Sequence, residues 1–312
     1  MTTALLSFLA GIGLLLISAS FFVRLLVQLS RALRISPLII GTTIAAVGTS
    51  MPELAISTIA SIQGDVGLAT GNIVGSNTVN VLLILAVGVL LGRIRIGTTK
   101  TQRNNLILLT ASVLFLFLAA STILPPRIGI ILLVGAGLFT LVEYHWGVDG
   151  RTREDAAWNH RFHRSRIRPH SLLTIGFALA GIFIGGRLVV SSVEEIANAT
   201  GIATSVLGLS LTAIATSLPE LLVTITSFRQ HQEKLLIGNI IGSNIYNLLL
   251  IGGTIGLFSP IRLDHGWTMF AIATVLFSVI LFSFGGKTVP KRVGGGLLLV
   301  FALYLLTIRS IN

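Results

Sequence analysis

The fold class predicted by this sequence is an all-α integral membrane protein of ten transmembrane helices. They form two inverted five-helix repeats, with the N- and C-termini outside. Three observations carry the prediction. Of 312 residues, 53% are hydrophobic and 11% charged, against about 25% charged in soluble domains, and mean hydropathy is +0.91. Apolar runs of roughly 20 residues recur along the whole length, each sufficient to cross a hydrocarbon core about 30 Å thick. One long polar string also occurs twice, at a constant offset of 167 residues.

The expected spans are 4–28, 37–62, 67–92, 104–122, 127–146, 171–195, 202–228, 235–257, 266–285 and 292–309. The first apolar run extends to about Val23 with no basic n-region and no convincing small-residue cleavage site. It therefore reads as a retained span and not as a removed signal peptide. Connections are short except for 147–170, a basic cytoplasmic linker with six arginines between a first repeat at 1–146 and a second at 171–312.

Counting Lys and Arg tests this placement. Connections 1–2, 3–4, 5–6, 7–8 and 9–10 hold 17, the opposite side holds only Arg127, Arg262 and Arg309, and Arg24 and Arg187 fall within spans. A 17-to-3 bias puts the basic connections in the cytoplasm. The net charge of +11 is thereby explained by topology, and nucleic acid is not an expected partner. There is no cysteine, which excludes disulfides and thiolate metal sites.

The duplicated string runs Gly48-Thr49-Ser50-Met51-Pro52-Glu53 and then Gly71-Asn72-Ile73-Val74-Gly75-Ser76-Asn77-Thr78-Val79-Asn80. Its second copy runs Ala215-Thr216-Ser217-Leu218-Pro219-Glu220 and then Gly238-Asn239-Ile240-Ile241-Gly242-Ser243-Asn244-Ile245-Tyr246-Asn247. The copies lie on spans 2–3 and 7–8. Five spans is an odd number, so the copies cross in opposite directions, an arrangement shared by many secondary transporters. Glu53 precedes the turn near Asp65 by 12 residues and Asn80 follows it by 15. At 1.5 Å per residue both reach about 20 Å deep, close to the midplane.

Of eleven acidic residues only Glu53 and Glu220 fall mid-span. A charge at the bilayer centre costs about 2.5–3.5 kcal/mol on insertion scales, and neither in-span arginine lies at motif depth. A matched pair of buried carboxylates without a basic partner invites a cation. The accompanying groups are hydroxyls and amides, with Thr49, Ser50 and Glu53 on one helix face, Ser76 and Asn80 on another, and Thr216, Ser217, Glu220, Ser243 and Asn247 repeating the pattern. Pro52 and Pro219 each remove a backbone donor, which lets carbonyls near Gly48 and Ala215 face the site. An all-oxygen set suits a hard cation such as Ca²⁺, which takes 6–8 oxygens. No His or Cys falls in the motif, so zinc and copper do not fit. The glycine pairs 71/75 and 238/242 are small-xxx-small patterns that let helices approach closely.

The two copies resemble the alpha repeats of the sodium/calcium exchanger family within the cation/calcium exchanger superfamily, and the resemblance covers nearly the whole chain. It implies a multi-pass plasma-membrane antiporter exchanging Ca²⁺ for Na⁺ by alternating access. Glu53 and Glu220 are then the principal Ca²⁺ ligands. Thr49, Ser50, Ser76, Thr216, Ser217 and Ser243 supply hydroxyls to flanking Na⁺ sites, Ala46 and Ala213 supply backbone carbonyls, and Asn80 and Asn247 form the central polar pair. Several relatives carry Asp at one of that pair, whereas both are Asn here. The departure removes a third charge and leaves H⁺ or K⁺ coupling as alternatives.

Blander readings exist for each group. A lone buried carboxylate can be structural, and intramembrane Ser, Thr and Asn commonly bond their own or a neighbouring helix. Arg24 and Arg187 fit snorkelling or pairing within the bundle. The linker fits a topology anchor or an anionic-lipid contact, and His160, His163 and His170 fit solvated positions. The glycine runs of spans 1 and 6, around Gly11-Ile12-Gly13 and Gly181 to Gly186, mark the elements expected to move. A passive cation channel is the alternative from another class. No nucleotide-binding loop or soluble catalytic domain is visible, so neither an enzyme nor a bound cofactor is expected. The expected partners are the lipid bilayer and the transported ions, with no obligate protein partner.

Overall fold

The computed structural model describes residues 2–32, 43, 46–92, 94–96, 99–120, 129–149, 170–229, 233–261 and 267–309. Among them regular structure is helical, apart from one isolated antiparallel bridge between Arg95 and Thr288. Lipid offers no hydrogen-bond partners, so a spanning chain must satisfy its backbone internally, and a helix does so within one segment.

The helices in chain order are α1 (Thr2–Ala32), α2 (Ala46–Thr49), α3 (Met51–Ile62), α4 (Val66–Val79), α5 (Leu85–Leu91), α6 (Thr99–Ala120) and α7 (Gly129–Asp149). After these come α8 (His170–Thr200), α9 (Thr204–Leu207), α10 (Ala213–Thr216), α11 (Leu218–Arg229), α12 (Glu233–Tyr246), α13 (Gly252–Phe258), α14 (Trp267–Ser283) and α15 (Lys291–Arg309). Three π turns, Asn80–Ile84, Gly208–Thr212 and Asn247–Ile251, join α4 to α5, α9 to α10 and α12 to α13. Among the described residues, seven helical runs are long and apolar enough to cross a membrane, and three shorter apolar helices accompany them.

The centre of the bundle is α4 and α12 with their π-turn extensions. Every residue of α4 from Leu68 to Val79 is buried, so neighbours surround the helix and it has no polar face to show. Around this centre, α6, α7, α14 and α15 turn large apolar side chains such as Phe117, Leu138, Val275 and Leu299 outward, as lipid-facing helices do. A tight turn leads into α4. Gly64 takes φ +87°, a left-handed conformation that glycine adopts without a Cβ penalty. Asp65 then caps the helix by accepting from the Leu68 amide at 2.9 Å and accepts a second bond from the Thr204 hydroxyl at 2.9 Å.

The long helices α1 and α8 pack along each other. A Cβ on Gly11 would stand 3.0 Å from the Gly185 carbonyl oxygen, and one on Gly185 would stand 2.9 Å from that of Gly11. The glycine runs of these helices therefore serve a close crossing. Elsewhere the connection before α6 meets the one before α15. Amides of Ile96, Gly286 and Val289 donate to Lys287, Ile96 and Ile94 carbonyls at 2.9–3.0 Å, which holds these two basic connections on the same side of the bundle.

Two described boundaries lie five residues from the sequence expectation. Helix α6 begins at Thr99, not at 104, so Arg103 lies inside a helix. Its guanidinium pairs with the buried carboxylate of Glu143 on α7 and donates through Nε to the Asn104 side chain at 2.9 Å. Helix α8 runs to Thr200, past the expected end at 195. The bulk of the basic linker (150–169), with His160 and His163, lies outside the described residues, as do Arg127, Arg262 and residues 230–232. The described part of the 147–170 stretch is helical, the end of α7 and the start of α8.

Candidate cation site

Two broken helices build the site. Ser50 (φ −81°, ψ 8°) separates α2 from α3, and Ser217 (φ −80°, ψ 6°) separates α10 from α11. Two residues after each break stands a proline, Pro52 and Pro219. Neither has an N–H to give the carbonyl four residues back, so the Gly48 and Ala215 carbonyls lose their usual helical donor. Glu53 and Glu220 follow directly in the first turns of α3 and α11. The other half of each motif places Ser76 and Ser243 on α4 and α12, and Asn80 and Asn247 each open a π turn. Single π turns inside helices occur frequently at functional sites because they shift backbone carbonyls out of register.

All twelve residues expected from the sequence are buried, Glu53 and Glu220 completely. They form two clusters related by the 167-residue offset. In one, Ser217 donates to Glu53 Oε1 at 3.4 Å. Ser76 and Thr216 share a hydrogen bond at 3.4 Å, and Thr216 reaches the Ala213 carbonyl at 3.3 Å. In the other, Ser50 and Ser243 both donate to Glu220 Oε1 at 3.3 Å. Thr49 and Ser243 share a bond at 3.4 Å, and Thr49 reaches the Ala46 carbonyl at 3.3 Å. Each glutamate is thus held by the serine three residues before the other glutamate. This reciprocity makes the two copies of the motif one site.

The amides of the central pair are held by further asparagines. Asn80 donates to Asn244 Oδ1 at 2.9 Å, and Asn247 donates to Asn77 Oδ1 at 3.0 Å. Asn77 in turn donates to the Asn244 backbone carbonyl at 3.2 Å. Asn80 and Asn247 are therefore each fixed by an asparagine of the opposite copy. Asn72 donates to Ser57 at 3.0 Å and to the Glu53 carbonyl at 3.4 Å, and its Oδ1 accepts from Thr216 at 3.4 Å. Asn239 Oδ1 accepts from Thr49 at 3.5 Å. Sequence reasoning gave no role to Asn72, Asn77, Asn239, Asn244 or Ser57. The signal for the four asparagines was present, since each keeps its identity at the 167-residue offset.

The amide bonds that fix Asn80 and Asn247 are 2.9–3.0 Å, whereas the hydroxyl bonds onto the glutamates are 3.3–3.4 Å, at the weak end for O–H···O. Beyond these, Glu53 Oε2, Glu220 Oε2, Asn80 Oδ1 and Asn247 Oδ1 are buried with no hydrogen-bond partner. A buried carboxylate oxygen left unpaired costs several kcal/mol unless a charge or ligand meets it. Neither glutamate forms an ion pair with a described residue. Arg187, one of the two in-span arginines, is exposed on α8, and the side chain of Arg24 lies outside the described residues. Among the described residues no three His, Cys, Asp or Glu side chains converge. The donors available are two carboxylates, amide oxygens, hydroxyls and carbonyls, which is the chemistry of a hard cation.

An all-helical membrane fold around a buried, all-oxygen site with two unpaired carboxylates is that of a membrane cation transporter. The chain belongs to the sodium/calcium exchanger protein family, whose profile matches residues 3–144 and 170–309. It is 33% identical to the putative antiporter CaxA of Alkalimonas amylolytica, over 85% of this chain and 83% of that one. Identity to the sodium/calcium exchanger MaX1 of Methanosarcina acetivorans is 31%, with 98% of both chains covered. A solved structure of the sodium-calcium exchanger NCX_Mj, soaked with Na⁺ and Sr²⁺, superposes with a TM-score of 0.66 at 26% identity over 98% of both chains.

Proposed function

We propose that this chain is a secondary antiporter of the plasma membrane that exchanges Ca²⁺ for Na⁺ at one central site. The observation that carries the reading is the set of four unpartnered buried oxygens on Glu53, Glu220, Asn80 and Asn247. Two ionised glutamates balance one Ca²⁺, and the amide oxygens complete its shell with neutral donors. The hydroxyls of Thr49, Ser50, Ser76, Thr216, Ser217 and Ser243, with the Ala46 and Ala213 carbonyls, flank the carboxylates and suit smaller monovalent charge. Each glutamate takes part in both arrangements, so Na⁺ and Ca²⁺ compete for the same negative charge. Competition for shared ligands is what obliges exchange instead of independent binding.

Organisation as two five-helix repeats, 1–146 and 171–312, inverted about the linker 147–170, makes inward- and outward-open states close structural equivalents. Alternating access then needs no structural element beyond those halves. Support for Na⁺ and Ca²⁺ as the cargo comes from family membership and from the named activity of the relative MaX1. A second reading, coupling to H⁺, is favoured by Asn at both positions 80 and 247, which limits the fixed charge to two carboxylates.

The test is a gradient swap in proteoliposomes. An imposed Na⁺ gradient is expected to drive ⁴⁵Ca²⁺ uptake, and a pH gradient of equal size is expected to drive none. Uptake driven by the pH gradient alone would replace the Na⁺ reading with the H⁺ one. Ca²⁺ flux persisting with no counter-ion on either side would contradict antiport and identify a passive pathway.

A further inference from the structure

The π turn Gly208–Thr212 immediately precedes Ala213, Thr216 and Ser217, one half of the proposed cation site. In an uninterrupted α-helix the Leu209 carbonyl would accept from the amide of Ala213. That amide donates instead to the carbonyls of Gly208 and Ser210. The Leu209 oxygen, released from its usual partner, accepts from the phenol of Tyr304 at 2.5 Å. Tyr304 lies on α15 at the outside of the bundle, yet its side chain is fully buried. A phenol buried in apolar surroundings needs an acceptor, and a carbonyl displaced by a π turn supplies one.

Space for this contact is kept by Gly75. A Cβ there would stand 2.7 Å from the Leu209 carbonyl oxygen and 2.6 Å from the Ala213 Cβ. Gly75 directly precedes Ser76, which shares a hydrogen bond with Thr216. Contacts therefore run without a gap from Tyr304 through Leu209 and Ala213 to Thr216 and Ser76. Gly129 on α7 meets Gly253 and Gly256 as Gly294 on α15 meets Ala86 and Val89, so the counterpart of Tyr304 is Phe139, a buried ring without the hydroxyl. The phenol is thus a feature of one side only.

We infer that Tyr304 is a positioning residue for the α10 half of the cation site, acting through the Leu209 carbonyl, with no phenol at the matching position of α7. It sets the backbone register of the π turn, and with it the directions of the Ala213 carbonyl and the Thr216 and Ser217 hydroxyls. This inference rests on the antiport reading for its transport consequence but not for its structural one. Ca²⁺ is held chiefly by glutamates from both copies of the motif, whereas a Na⁺ on the α10 flank shares one glutamate and draws the rest of its shell from the neutral oxygens of Ala213, Thr216 and Ser217. Loss of the brace should therefore weaken Na⁺ more than Ca²⁺.

The experiment uses Tyr304→Phe, which keeps the ring and removes the hydroxyl, in the full-length protein. Hydrogen exchange by mass spectrometry is expected to speed up by roughly tenfold across 208–217, as when one buried carbonyl loses its donor, with 46–54 unchanged. In proteoliposomes the half-saturating Na⁺ concentration is expected to rise by about the same factor, and that for Ca²⁺ by less than about twofold. Unchanged exchange across 208–217 would overturn the inference. So would Na⁺ and Ca²⁺ half-saturations that stay at wild-type values or shift in equal proportion, the signature of a merely structural defect. Wild-type protein that shows no Na⁺-driven Ca²⁺ flux would end the antiport reading instead, and the hydrogen-exchange comparison would still decide the role of Tyr304.

Discussion

At position 247 the asparagine does two things that an aspartate could do together only when protonated. Its Nδ2 donates to Asn77 Oδ1 at 3.0 Å, while its own Oδ1 stays unpartnered. An ionised aspartate in its place would set two acceptors against each other. Flipping the Asn77 amide to repair this would break its 3.2 Å bond to the Asn244 carbonyl. One buried hydrogen bond is lost either way, so Asn247→Asp is expected to cost about 1–3 kcal/mol of stability, measured by thermal unfolding in detergent. The sign of the pH dependence follows. The deficit relative to wild type should be full where the new carboxyl is ionised and shrink as pH falls, because the protonated carboxyl donates again. A deficit that does not change with pH would show that Asn247 is not held through its amide protons.

At the scale of elements, close helix approach sets what the site can tolerate. Gly75 on α4 faces the backbone of the π turn, with a would-be Cβ under 3.0 Å from the Leu209 Cα and carbonyl oxygen. Backbone cannot swing aside as a flexible side chain can. Gly75→Ala is expected to lower stability by about 1–3 kcal/mol through overpacking and to disturb the Ser76–Thr216 contact. Gly137→Ala on α7, where nothing lies within 4 Å, should be neutral or stabilising by up to about 1 kcal/mol. Thermal stability of the two variants side by side tests this, and equal losses would contradict the packing account. The short elements were also the hardest to read from sequence. Pro52 and Pro219 signalled broken helices, but the π turn at Gly208–Thr212 has no proline, and the donor that meets its released carbonyl is a phenol 95 residues away in the chain. Likewise the pairing of Arg103 with Glu143 is a contact between helices that no local pattern encodes.

At the scale of the molecule, the chain's class and the residues of its candidate site were legible because duplication and membrane insertion both leave linear marks. Long apolar runs report spans, and a constant offset reports equivalence. Glu53, Glu220 and the motif hydroxyls could be assembled on that basis. What stayed hidden was pairing across the copies. Spacing within one copy suggested that Asn80 and Asn247 share a central position, but it could not show that Asn244 and Asn77 hold them. Nor could it show that Ser217 serves Glu53 while Ser50 serves Glu220. That exchange of partners turns two copies of a motif into one cage, and this is the central claim. Calcium-binding stoichiometry, measured by isothermal titration on wild type, Glu53→Gln and Glu220→Gln, tests it most directly. The account predicts one Ca²⁺ per chain, with binding lost in either variant because the remaining glutamate cannot balance the ion alone. Two Ca²⁺ per wild-type chain, with one retained in each variant, would mean two separate half-sites and would contradict it.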